Sequence, residues 1–178
     1  MKTKEEILNA AEKSFNQFTA TCDAIDNARF FEHPGDKWSV AENVQHLIVS
    51  TRMTNLAYRL PKWMVRMIGG TPNRASRTYE ELLAKYERKL SEGGRASGRY
   101  VPKPLEKKYG KDKLVQNWKK ETAAFLKFLR NNRSEADLDN YLAGHPLLGK
   151  ITLRELCYFT VFHTNHHLQS INKLTGAA

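Results

Sequence analysis

The chain has 178 residues, of which 40% are hydrophobic and 27% charged, proportions that support one globular domain over residues 1–178 and exclude a disordered chain or a collagen-like repeat. Two cysteines, Cys22 and Cys157, are too few for a disulfide framework, and the segment MKTKEEILNA lacks the apolar run of a secretory leader, so the expected compartment is the cytoplasm. The net charge is +10, and residues 95–120, with nine basic and two acidic side chains, hold most of the excess.

Four segments open with Ser or Thr followed three residues later by Glu, a pairing in which each side chain satisfies a free amide of the first helical turn. They are Thr3 with Glu6, Ser39 with Glu42, Thr78 with Glu81 and Thr152 with Glu155. The first predicted helix carries Ile7, Leu8, Ala11, Phe15, Phe18, Cys22 and Ile25 on one stripe and therefore packs on one side. On the second, Val40, Val44, Leu47, Ile48 and Thr51 fill one face and Val49, Met53, Leu56 and Leu60 the opposite one, as expected of a central element. The most apolar stretch, residues 44–68, is interrupted by Arg52, Arg59, Lys62 and Arg66, so it offers no run of about 18 apolar residues and no membrane partner is expected.

Residues 91–110 break any helical period with Gly93, Gly94, Gly98, Pro102 and Pro104 and read as a long loop. Its basic residues lack base-reading or stacking motifs, so they read as solvated and nucleic acid is not an expected partner. A further helix begins near Asp112, because Leu114, Val115, Trp118, Phe125, Leu126 and Leu129 recur at steps of three, four and seven. Residues 131–150 form a second connection, with a turn at His145, Pro146 and Gly149. No alternating segment is long enough for a sheet. The expected architecture is all-α, a four-helix bundle with one short accessory helix. Trp38, Trp63 and Trp118 read as packing anchors and Cys157 as a buried structural thiol. His33 and His145 each precede a proline and read as loop residues, with a place at a site's mouth the alternative for His145.

The last predicted helix contains HTNHHLQ. His163 and His167, four apart, project from successive turns of one face, a spacing that suits two ligands of one metal ion; a 163/166 pair is the geometric alternative. A third ligand must come from elsewhere, and His46, opening the stripe His46, Val49, Met53, is the best placed. Buried imidazoles without partners would each cost about 1–3 kcal/mol, a cost that a shared cation removes.

The segment KWSVAENVQHLIVS (37–50), followed by HPLLGKITLRELCYFTVFHTNHHLQSINKL (145–174), resembles the DinB-like (DinB/YfiT) superfamily over about a quarter of the chain. The resemblance implies an up-down-down-up bundle with a long crossover between its second and third core helices. It also implies a divalent ion, zinc or nickel, held by His46, His163 and His167, and pairing into a homodimer. The characterised enzymes of the superfamily are mostly thiol S-transferases and isomerases using low-molecular-weight thiols such as bacillithiol, mycothiol or glutathione.

Three neutral nitrogen donors leave an ion its double charge and an open position, which suits a catalytic site better than a structural one. The expected chemistry is activation of water or a thiol, for hydrolysis or thiol transfer on a small molecule. The alternatives are a non-catalytic metal- or ligand-binding protein and a nucleic-acid binder centred on residues 95–120. Expected orienting partners are Glu42, Asn43 and Ser50 for His46, and Thr160 and Gln169 for the last-helix pair. Arg99, Tyr100, Lys107, Lys108 and Tyr109 are candidates for contacting the acidic parts of a thiol. No G-x-S-x-G, P-loop or G-x-G-x-x-G motif is present, and Thr164 stands where a helical zinc protease places its Glu.

Overall fold

The computed structural model describes residues 1–176. Four long helices form the bundle: α1 (Lys4–Ala24), α3 (Val40–Arg59), α6 (Lys111–Asn132) and α8 (Leu153–Thr175). Short helices α2 (Asn27–Phe30), α4 (Lys62–Gly69), α5 (Tyr79–Ser91) and α7 (Glu135–Asn140) lie in the connections, with an antiparallel hairpin of β1 (Leu142–His145) and β2 (Gly149–Thr152) just before α8. The hairpin corrects the expectation of no sheet. Its strands are four residues long and nearly continuous with the α8 start, too short for an alternating pattern to register.

Three of the four Ser/Thr–Glu pairs close full capping boxes, at Ser39, Thr78 and Thr152. Thr3 accepts from the Glu6 amide, while Glu6 turns to the Lys2 amide instead of closing the box. A further box, Ser134 with Asp137, starts α7.

Hydrogen bonds between the helices fix their directions. Lys4 reaches the Arg130 and Arg133 carbonyls while Lys111 reaches back to Asp23, so α1 and α6 run antiparallel. Arg52 and Asn55 meet Glu121, and Asn132 meets Tyr58, so α3 and α6 run parallel. Ser14 meets Asn165 and Arg29 meets Thr175, so α1 and α8 are parallel too. The order is up-down-down-up, and the parallel α3–α6 pair requires the long crossover that α4 and α5 occupy.

The centre is aromatic. Phe15 and Phe18 pack on Trp118, Phe15 also meets Phe125 edge-on at 5.6 Å, and Phe125 meets Tyr58, contacts worth about 0.5–1.5 kcal/mol each beyond the area they bury. Tyr58 donates to the Leu153 carbonyl and shares a 2.8 Å hydrogen bond with Cys157 Sγ. Gly69 ends α4 hard against β1, where a Cβ would lie 2.0 Å from the Leu142 carbonyl oxygen. Trp63 departs from expectation: it is 66% exposed, beside the equally exposed Met67 and Ile68 on α4, and only Trp118 is a buried anchor. The Val49, Met53, Leu56 face of α3 is likewise half open, because the crossover covers it incompletely. Among the described residues no helix is long and apolar enough to cross a membrane.

Candidate metal centre

His46 lies in the second turn of α3, which its Ser39–Glu42 box starts, and His163 and His167 lie midway along the antiparallel α8. The crossing brings their rings together: His163 Nε2 stands 3.0 Å from His46 Nε2 and 3.1 Å from His167 Nε2. All three are buried, 5–7% exposed. His166 turns aside, its ring edge-on to His167 at 5.4 Å, so the four-residue spacing is the one that brings two ring nitrogens to the cluster.

The far side of each ring is anchored. His46 Nδ1 lies 2.6 Å from the Tyr100 carbonyl, an acceptor only, so Nδ1 carries the hydrogen and Nε2 a bare lone pair. His167 Nδ1 lies 2.6 Å from Asn43 Oδ1. The Asn43 amide nitrogen donates to the Ser39 carbonyl at 2.8 Å, which turns its oxygen toward His167 and makes that Nδ1 the donor as well. Ser50 Oγ stands 3.4 Å from His163 Nδ1. Asn43 and Ser50 were expected beside His46 and instead serve the opposite helix, while Thr160 donates back to the Leu156 carbonyl within α8. The Tyr100 carbonyl carried no sequence signal, since a main-chain acceptor has no residue type.

Two bare lone pairs aimed at one point are mutually repulsive, and a single hydrogen on His163 Nε2 can serve only one of them well. A cation serves all three, and nitrogens about 3 Å apart suit ligands at the usual zinc–nitrogen distance of about 2.0–2.1 Å. The residues therefore fit a divalent ion. Burial holds all three imidazoles below their ordinary pKa, His163 and His167 well below, with the neighbouring rings adding to the effect, so the lone pairs stay available in mild acid.

A cavity of about 370 Å³ opens beside the cluster. Trp38 walls it, stacked parallel on His167 and 5.1 Å from the His46 ring, and Phe159 stacks on His163 at 4.7 Å. Tyr100 and Arg95 come to the cavity from the long loop; Lys107 lies at a different surface, beside Phe31 and His33. His145 ends β1 and lines the same cavity, which corrects its reading as a plain loop residue. Both cysteines are buried, their thiols pushed up to about 12 by burial.

A family model of the DinB superfamily matches residues 3–171. The chain belongs to the DinB superfamily. Its fold is also that of a solved DinB-like structure, the colibactin self-resistance protein ClbS in complex with a double-stranded DNA, at a TM-score of 0.54 and 16% identity over 98% of this chain and 96% of that one. No curated protein matches the chain by sequence. The DinB-like arrangement thus covers nearly the whole chain, far beyond the quarter that carries the resemblance.

Proposed function

We propose that this DinB-superfamily protein is a divalent-metal-dependent enzyme acting on a small molecule, with His46, His163 and His167 holding zinc or nickel. The observation that supports it most is the convergence of three ring nitrogens, each anchored from behind, beside an open cavity. Three protein ligands with space alongside are the mark of a catalytic site. When bound, such an ion makes hydroxide or thiolate available near neutral pH, for hydrolysis or for transfer to a low-molecular-weight thiol.

The chain's own residues hold the hydrogens of His46 and His167 on Nδ1, pack Trp38 and Phe159 against the ligand rings, and give the substrate an aromatic seat. Neither cysteine serves as a nucleophile, since both thiols stay protonated, so an attacking thiol is an external one. The test is elemental analysis of the wild type beside His46→Ala, His163→Ala and His167→Ala, with thiol-transfer and hydrolysis assays on the same samples. The expected result is loss of metal and activity together in each variant. Retention of metal in all three rejects the site; metal loss in a protein that turns nothing over makes it a binding protein.

A second reading, DNA binding, draws support from the double-stranded DNA in the ClbS structure and from the net +7 of residues 95–120. Its mark is affinity for a short duplex that falls steeply with salt, and a salt-independent failure to bind rejects it. The expected homodimer draws support from the exposed Trp63, Met67 and Ile68 on α4.

A further inference from the structure

The cavity holds a second polar device that the metal reading does not use. His145 Nδ1 accepts hydrogen bonds from two successive backbone amides, Leu147 at 3.2 Å and Leu148 at 3.1 Å, in the turn of the hairpin. A nitrogen that accepts twice carries no hydrogen, so the neutral ring bears it on Nε2. The ring is clamped edge-on between Phe159, 4.2 Å away, and Tyr86, 6.2 Å away. With the Nδ1 edge held against the turn, the Nε2–H edge faces away from it, and it meets no acceptor among the described residues. Burial, reinforced by Lys85, pushes this imidazole down to about 4, so it is a neutral donor at pH 7.

The lining contains no Asp or Glu. It does contain Arg95, which makes no ion pair among the described residues and donates only to the Gly94 carbonyl at 3.1 Å. Gly94 lies against the same hairpin turn, where a Cβ on it would stand 3.3 Å from Leu147 Cδ2, so Arg95 and His145 rise from abutting segments. Apart from the histidines of α3 and α8 and the hydroxyls of Ser50, Thr54 and Ser97, the remaining wall is largely apolar, led by Trp38, Met53, Tyr86, Leu90 and Phe159.

We propose that the cavity binds a small aromatic acid, its ring seated on these apolar walls and its carboxylate accepting from His145 Nε2–H and pairing with Arg95. This specifies a substrate class for the site and rests on the small-molecule reading above. A volume of about 370 Å³ sits at the small end of the roughly 300–1,000 Å³ of ligand pockets.

The test is calorimetric titration with phenylacetate and with its neutral counterpart phenylacetamide, on protein as isolated and after chelator treatment, with metal content measured on each sample. The wild type is expected to prefer the acid by about tenfold or more, the scale of one charge-assisted hydrogen bond. Arg95→Gln, an exposed position that does not endanger folding, cuts the preference and leaves the share His145 carries, and Arg95→Glu reverses it. His145→Phe, which keeps the aromatic packing, weakens the acid by about tenfold and the amide, whose carbonyl accepts only a neutral hydrogen bond, by less. Equal affinity of the wild type for acid and amide, or binding of neither, overturns the proposal. A preference that vanishes on chelation and ignores Arg95→Gln assigns the carboxylate to the ion and overturns it too, while upholding the metal site. A preference that survives in protein found to hold no metal upholds the acid site and rejects the metal reading.

Discussion

Asn43 stands one turn before His46 on α3 yet orients His167 on α8, while its amide nitrogen is bound to the Ser39 carbonyl. Asn43→Ala removes the acceptor that holds the His167 hydrogen on Nδ1. Metal affinity should fall about 10–100-fold, measured by chelator competition, while Asn43→Asp, which keeps an acceptor, should retain it. The three histidines themselves were legible: a four-residue spacing fixes one face of a helix, and a lone His on an apolar stripe points inward. Their orienting partners were not, because Asn43 reaching across to His167 depends on how far two antiparallel helices slide past each other. His145 gives a pH signature. Its folded pKa, about 4, lies below the 6.5 of the free imidazole, so below pH 6.5 the unfolded chain takes up a proton that the folded one refuses. Stability contributed by the neutral ring is full above 6.5 and is lost as pH falls toward 4. Melting temperature measured against pH should show the wild type losing ground to His145→Phe across that window, on top of a pH-independent offset from the two amides the variant leaves unpaired.

At the scale of an element, α8 has the most to hold in register, since it carries two of the three candidate ligands. Its start is fastened by Glu155, fully buried, which accepts from Arg74 at 2.7 and 2.8 Å, from the Arg77 amide and from the Thr152 amide. Burial alone would raise this carboxyl, but Arg74 and the amides hold it below its ordinary range. Glu155→Ala should destabilise the fold by about 3 kcal/mol in urea denaturation, because it breaks a buried ion pair and a helix cap together. Thr–x–x–Glu announced the cap in the sequence; the arginines arriving from the crossover did not. The α7 box went unseen because Asp137 replaces the usual Glu or Gln. Trp63 was misread because apolar size says nothing about whether a neighbour exists to cover it.

Across the whole molecule, the parallel run of α3 and α6 is the topological fact from which the rest of the architecture follows. Parallel neighbours cannot be joined by a tight turn, so residues 60–110 must travel the length of the bundle; the family resemblance implied that crossover, while the Pro and Gly of residues 91–110 marked only a long loop. That route leaves α4 on the outside with Trp63, Met67 and Ile68 uncovered. If this face joins two copies, sedimentation should give a dimer for the wild type and a monomer for Trp63→Glu, with unchanged helicity. The same route brings Tyr100 to His46 through its carbonyl oxygen and not its phenol. A main-chain contact is indifferent to spelling and sensitive to length. Tyr100→Leu should therefore leave ion occupancy intact, whereas deleting one residue between Gly98 and Tyr100 should empty the site, so the count of residues in that strip, more than the letter at position 100, decides whether the ion is held.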